Sequence, residues 1–319
     1  MLNRHEQRSV RHRLSLLSAL AGLGVTLLAA PGAAASPPFD PRLDPQAVDW
    51  RMLRFHASKL FVSANAEVRF ERMPASAAAA ELSAVPEGSG RSPGGSQVVR
   101  LHVESKLGGK ETHEDVWFDA ADGSALERRK ERLGKKPYIA TVRYGTDGVY
   151  RHRIAPAKDR EAHGPRERWS GLETSFEPFD RASGGLGEDS PQRPVIEPLA
   201  LFYLVSAAHL EAPGDRLETV VFSRHRLVPI RLEVSGIEQI RANFEDRTQA
   251  RTERRRGPIE ALKIRVEDAG GADSDFSFLG LREGVEIFVE RSSRLPVLVR
   301  GKMRIVGRVD IALTHAERR

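Results

Sequence analysis

Apolar and polar residues alternate in six separate stretches of the chain. Val99, Leu101 and Val103 alternate with Arg100, His102 and Glu104. Tyr138, Ala140, Val142 and Tyr144 alternate with Ile139, Thr141 and Arg143. The pattern returns at Ile230–Leu232–Val234, Leu262–Ile264–Val266, Val285–Ile287–Val289 and Val309–Ile311–Leu313. A period of two puts one face of a strand in the core and the other in water, as in antiparallel sheets. Turn residues divide the stretches: Ala120-Ala121-Asp122-Gly123, Thr146-Asp147-Gly148, Arg224-His225 and Ser292-Ser293-Arg294. Asp-Gly between strands signals a hairpin because glycine tolerates positive φ. Ten to twelve strands joined by short connections are expected, with Ser235-Gly236 read as a turn.

One segment departs from this pattern. Glu197–Leu210 is apolar on nearly all sides and carries Pro198 where a first helical turn needs no amide donor. Ala212-Pro213-Gly214 would stop it. A helix apolar all round is buried, and at about 14 residues it is too short to span a bilayer. In a sheet protein it would fill the concave side of a curved sheet. Two other stretches lack alternation. Residues 74–96 are rich in Ala, Ser, Gly and Pro and read as a mobile loop. Residues 155–194 carry Pro, Gly and charge and read as a second mobile insertion, with Trp169, Phe176 and Phe179 as possible anchors.

The N-terminus reads as a signal peptide. Arg4, Arg8, Arg11 and Arg13 precede the uncharged Leu14–Ala30, and Ala33 and Ala35 fit a small-x-small cleavage rule. Residues 1–35 are therefore expected to be removed, leaving a soluble, exported, periplasmic chain. The alternative is an inner-membrane anchor formed by an uncleaved 14–30 stretch. Residues 36–52 read as an extended lead-in and 53–316 as a single β-rich domain. The chain has no cysteine, so neither a disulfide nor a lipid-modified cysteine is available, and stability must come from a core. The leader's arginines and single glutamate account for half of the formal charge of +6. The remainder is nearly balanced, which argues against nucleic-acid binding.

The helix Pro198-Leu199-Ala200-Leu201-Phe202-Tyr203-Leu204, the Pro213-Gly214-Asp215 that follows it, and the terminal hairpin carry a resemblance. That hairpin comprises Leu295-Pro296-Val297 and Gly307-Arg308-Val309-Asp310-Ile311-Ala312-Leu313. Together they resemble a family of uncharacterised bacterial periplasmic proteins, the domain of unknown function numbered 3108. Residues 197–315 carry the likeness, and 53–150 match in pattern only. That family is similar in architecture to the lipoprotein-carrier (Lol-type) proteins. The resemblance implies a mainly β fold: a strongly curved antiparallel sheet, an unclosed barrel, with one or two helices on its concave face. In the carriers, acyl chains lie between sheet and helix. No catalytic residue is carried over.

Candidate chemistry is sparse. His102 and His113 would approach each other if their strands pair, but a metal site usually needs a third ligand, and no His-Glu-x-x-His is present. The plain alternative is a solvated sheet face. No Gly-x-Ser-x-Gly elbow and no phosphate loop occurs, and no cofactor is implied. Arg251, Arg254, Arg255 and Arg256 are expected at a hairpin tip, where they would touch anionic membrane-lipid phosphates or simply discourage edge pairing. Leu199, Phe202, Tyr203 and Leu210 would line a lipid pocket or pack as core. The leading expectation is a non-catalytic periplasmic protein that binds a hydrophobic or amphipathic envelope molecule such as a lipid, lipoprotein or glycolipid. A structural or protein-interaction module of the envelope, and an envelope hydrolase, are the alternatives. A membrane surface is a possible partner, and the sequence does not specify an oligomeric state.

Overall fold

The computed structural model describes residues 43–59, 62–86, 89–107, 109–180, 193–223, 225–269 and 276–319. The expected signal peptide, residues 1–35, and positions 36–42 of the lead-in lie outside the described residues. All six alternating stretches form strands, within a first meander, a short edge strand and a second meander. The first comprises β1 (Trp50–Lys59), β2 (Val62–Pro74), β3 (Gln97–Leu107), β4 (Lys110–Asp119), β5 (Ala125–Leu133), β6 (Tyr138–Tyr144), β7 (Gly148–Ala155) and β8 (Gly171–Pro178). Then comes β9 (Val195–Ile196). The second comprises β10 (Arg216–Ser223), β11 (Arg226–Arg247), β12 (Thr252–Asp268), β13 (Glu283–Glu290), β14 (Pro296–Met303) and β15 (Gly307–Arg318).

Each meander keeps its sequence order in one sheet, and the two join where β1 pairs with β15. The edges are β8 and β9. The sheet is strongly curved and does not close into a barrel. Its roll brings Glu245–Arg247 of β11 into parallel pairing with His315–Glu317 of β15. Arg318 fastens this roll, with Asp246 and Asp49 carboxylates each 2.9 Å from its guanidinium.

Among the described residues, three short α-helices accompany the sheet: α1 (Ala75–Glu81), α2 (Asp159–Ala162) and α3 (Leu201–Ala207). Every residue of α3 is buried. Phe202 packs between Phe55 and Phe278, at ring distances of 5.3 and 5.1 Å. Tyr203 sits against Phe118 and Phe70 and donates its hydroxyl to the Ala120 carbonyl. The Trp50 indole donates to Ser206 Oγ at 3.1 Å. The helix is thus gripped by both meanders at once. Among the described residues, no helix is long and apolar enough to cross a membrane.

The helical segment is shorter than the sequence pattern suggests. Pro198–Ala200 form a 3-10 turn, and α3 ends at Ala207, well before Ala212-Pro213-Gly214. Arg294 explains the early stop. Its side chain donates to the carbonyls of Ser206 (3.0 Å), Ala208 and Leu210 (3.1 Å), so the chain needs no further helical turn to satisfy them. Arg294 holds a left-handed backbone, φ 57°, in the β13–β14 turn. A non-glycine residue in that region marks a position where side-chain contacts outweigh backbone preference.

Other differences have equally local causes. Fifteen strands occur among the described residues, above the ten to twelve expected. Most of β8 is exposed on both faces and β9 has two residues, so neither writes an alternating pattern. Ser235-Gly236 is no turn: β11 runs straight through it with a bulge, and Ser235 Oγ donates to the Lys263 carbonyl. The lead-in contains a 3-10 turn at Pro45–Ala47, and β1 already begins at Trp50. The stretch read as a mobile loop carries α1, whose Ala78 packs with Trp117 and Leu126 on the convex face. Trp117 donates to Glu81 and lies between the guanidinium groups of Arg100 and Arg129. Further along, the amides of Gly94 and Gly95 donate to Asp119 at 2.7 Å.

Replacing Arg294 by Met keeps the bulk but removes a charged donor from three carbonyls, of which that of Ala208 still accepts from the Leu210 amide. Unfolding in urea should show a loss of about 3 kcal/mol with an unchanged denaturant slope, since hydrogen bonds from charged donors contribute about 1.5–3 kcal/mol.

Candidate ligand-binding cavity

Small residues open a space on the concave face. Ala57 on β1 stands opposite Ala64 on β2, and Ala66 follows two positions on, on the same face. None of these reaches far above the sheet. A partly open cavity of about 590 Å³ lies over them. Val103, Leu279, Met303, Val309 and Ile311 complete an apolar floor, and Pro198 and Leu199 lead the helical segment past one side. Small-molecule sites commonly have volumes of about 300–1,000 Å³ with mostly apolar walls.

The other end of the cavity is ionic. Arg128 and Lys130 project from β5 and Arg151 from β7, and Lys110 lies at the β3–β4 hairpin. Three of these cations have partners: Lys130 with Glu114 at 2.7 Å, Arg151 with Glu177 at 2.9 Å, and Arg128 with Glu197 at 3.1 Å. His225 stands beside Arg151 at 2.9 Å, its backbone in the left-handed region at φ 76°. The lining acids are Glu114 and Glu197. Lining cations outnumber the lining acids, although Glu177 also holds Arg151.

Glu197 is the most constrained of these residues. It is 1% exposed, and it accepts hydrogen bonds from the Tyr144 hydroxyl and from Arg128. Burial pushes its carboxyl above the usual range, and the Arg128 charge and the Tyr144 hydrogen bond offset this only in part. Burial and the neighbouring Glu197 charge push the Tyr144 phenol well up, so it stays a donor. Burial is the largest single influence on Arg128 and opposes its cation, but the charges of Glu197 and Glu114, with the neighbouring tyrosines, together outweigh it and raise its pKa overall. Arg128 therefore remains a cation at every relevant pH, while Glu197 is the member of the pair that titrates.

The residues named from sequence fall in four places. Leu199 lines the cavity. Phe202, Tyr203 and Leu210 are core residues, at most 1% exposed, and are not among those that line it. The four arginines do not form a tip cluster. The β11–β12 turn spans residues 248–251, so only Arg251 lies in it, paired with Glu253 at 3.1 Å. Arg254, Arg255 and Arg256 lie within β12, where alternation sends them to opposite faces. Arg255 pairs with the buried Glu290 and stacks on Phe244, while Arg254 bonds Asn243. Arg256 is exposed. His102 and His113 are on the convex face, away from the cavity.

Sequence reasoning passed over Ala57, Ala64 and Ala66, together with the Arg128–Glu197–Tyr144 group. A trace of the first was present: alanine at every second position of 64–66, within a strand otherwise carrying larger residues. The second was not readable, because its members are up to 69 positions apart. No protein family, curated protein or solved structure matches the chain.

The raised carboxyl of Glu197 makes a signed prediction. A carboxyl whose folded pKa exceeds its unfolded value stabilises fully below the unfolded value, and this contribution is lost as pH rises through the folded one. Comparison of wild type with Glu197→Gln in urea from pH 4 to 8 should show the balance moving against wild type as pH rises. A flat difference would place the carboxyl at its ordinary value.

Proposed function

We propose that the protein is a non-catalytic binder of an amphipathic molecule with an apolar chain and an anionic head group, acting in the cell envelope. The observation that carries this reading is the two-ended cavity. Its floor of Ala57, Ala64, Ala66, Val103 and Ile311 accepts an apolar chain, and Arg128, Lys130 and Arg151 stand at the other end. Each methylene withdrawn from water contributes about 0.8 kcal/mol, so chain length is the main lever on affinity. The cations fix the orientation of the head group and add charge-assisted hydrogen bonds. Leu199 and Pro198 form the wall between cavity and core, so the segment that begins at Glu197 acts as one side of the site. The basic, then apolar, then small-residue order of residues 1–35 supports an envelope setting.

A second reading draws on a different observation. The edge strand β8 exposes Leu172 (62%) and Phe176 (42%). An unpaired edge with apolar side chains suits the addition of a partner strand. The cavity reading takes precedence because it uses both the shape and the charge of the concave face.

The test is native mass spectrometry of the purified protein, together with titration by a fluorescent long-chain fatty acid. The expected result is a bound acidic amphiphile, and affinity that rises with chain length until the floor is covered. Ala66→Phe fills the space and should abolish binding while the fold persists. Lys130→Glu should weaken binding of the acid but not of the matching alcohol. Unchanged binding in Ala66→Phe, or a wild-type protein that neither carries nor takes up any amphiphile, sinks the proposal.

A further inference from the structure

On the convex face, antiparallel pairing assembles a second group of residues. Register sets Glu104 of β3 directly opposite His113 of β4, and His102 opposite Asp115. His102 and Glu104 are two positions apart, so both project from the same face. One ligand atom each from His102, Glu104 and His113 lies within 4.8 Å of the others. The two imidazoles meet edge to face, with ring centres 6.4 Å apart.

The hydrogen bonds around these rings settle which atoms face inward. His102 Nδ1 is 3.0 Å from Asp115 Oδ1, and Arg100 holds the same carboxylate oxygen at 2.9 Å. Asp115 is thereby fixed as an acceptor, and His102 donates its Nδ1 proton to it. The opposite nitrogen, Nε2, then carries a lone pair, yet it faces Glu104 Oε1 at 3.2 Å. A lone pair set against a carboxylate is repulsive unless a proton or a cation lies between them. His113 repeats the arrangement: its Nε2 lies 3.2 Å from Glu111 Oε1, which leaves Nδ1 as the atom to offer. A ligating histidine whose other nitrogen donates to a carboxylate is the usual outer support of a protein metal site.

We propose that His102 Nε2, Glu104 and His113 bind a divalent transition ion, with Zn²⁺ the best fit. Two imidazoles and one carboxylate are a borderline donor set, which selects zinc over magnesium or calcium. Tetrahedral ligands about 2.0–2.2 Å from zinc stand roughly 3.3 Å from one another, so modest side-chain rotation closes the present spacing. The fourth position faces solvent, since the three side chains are 26%, 36% and 31% exposed. The surrounding charges are balanced rather than simply acidic. Arg69 approaches Glu104 at 3.5 Å, Lys106 approaches Glu111 at 3.3 Å, and Arg100 holds Asp115. A general pull on cations is therefore absent, and selectivity rests on the two imidazoles. The bound ion would fasten β3 to β4 on the face opposite the cavity. The proposal is independent of the amphiphile reading, and either stands without the other.

The experiment uses the full chain, freed of metal by chelation and titrated with ZnCl₂ by calorimetry at pH 7.5. The expected result is one ion per chain with a Kd of about 1 µM or tighter. Cobalt should give the intense visible bands of a tetrahedral site. His102→Ala and His113→Ala should each weaken zinc at least about tenfold, and Asp115→Asn about 10–100-fold through loss of ring orientation. His209→Ala, at an exposed histidine elsewhere, should leave binding unchanged. Should the alanine variants not fold, NMR of ¹⁵N-histidine-labelled wild type decides the same question, since zinc must shift the imidazole signals of two residues, His102 and His113. Undiminished binding in the His102→Ala/His113→Ala double variant, shifts at other histidines, or no binding tighter than about 100 µM overturns the proposal.

Discussion

A helix that is apolar on every side imposes the strictest condition on this fold. Buried surface contributes roughly 25 cal/mol per Å², and α3 realises that gain only if neighbours surround it. A flat sheet covers one side of a helix. The curved sheet covers several, because residues from both meanders reach inward, with Phe55 and Phe118 from one and residues of β13 and β14 from the other. The aromatic side chains of α3 fill that space as far as Leu199. Beyond it the helical segment ends, the concave face carries alanines, and a void remains. The cavity is where the curvature demanded by α3 outlasts the helix that demanded it.

The interior also holds several charges, and each is answered by a partner. Arg294 holds the Ser206 carbonyl of α3 and the Ala208 and Leu210 carbonyls just past its end. Arg255 and Arg318 share Asp246, which is 1% exposed, and Arg255 also holds Glu290. Glu197 is enclosed by Arg128 and Tyr144. Such groups are expensive to bury and are retained only where geometry satisfies them. They lie at the places where the sheet bends or the helix stops, so they act as position markers for parts that apolar packing alone leaves free to slide.

Much of the architecture was legible because it is written locally. Alternation at 99–103, 230–234, 262–266 and 309–313 marks strands regardless of their partners. Asp122-Gly123 and Asp147-Gly148 mark hairpins; Gly123 adopts the positive φ, 78°, that glycine tolerates, whereas Gly148 opens β7 without one. Glu197–Leu210 announced a buried helix by having no polar face. What was not legible depends on neighbours across the sheet. The bulge at Ser235-Gly236 looks like a turn until β12 is placed beside it. Arg254–Arg256 look like one cluster until strand geometry divides them. His102 and His113 were visible as a pair, but Glu104 joins them only once the β3–β4 register sets it opposite His113. The cavity is a property of side chains that are small, and smallness has no periodic signature of its own.

The pairing of β1 with β15 has a consequence for how the molecule is made. These are the first and last strands among the described residues, and the contact between Arg54 and Thr314 joins positions 260 apart. Every other antiparallel neighbour in the sheet is adjacent in sequence and can zip by local hairpin closure. The central seam cannot. Until β15 arrives, β1 is a free edge, and the concave face around α3 is only partly walled. Such long-range closure slows folding and leaves incomplete chains sticky. The seam therefore divides the life of the chain in two. Before it closes there are two half-sheets with bare edges; after it closes there is one continuous sheet whose β1 edge is no longer open to a stranger.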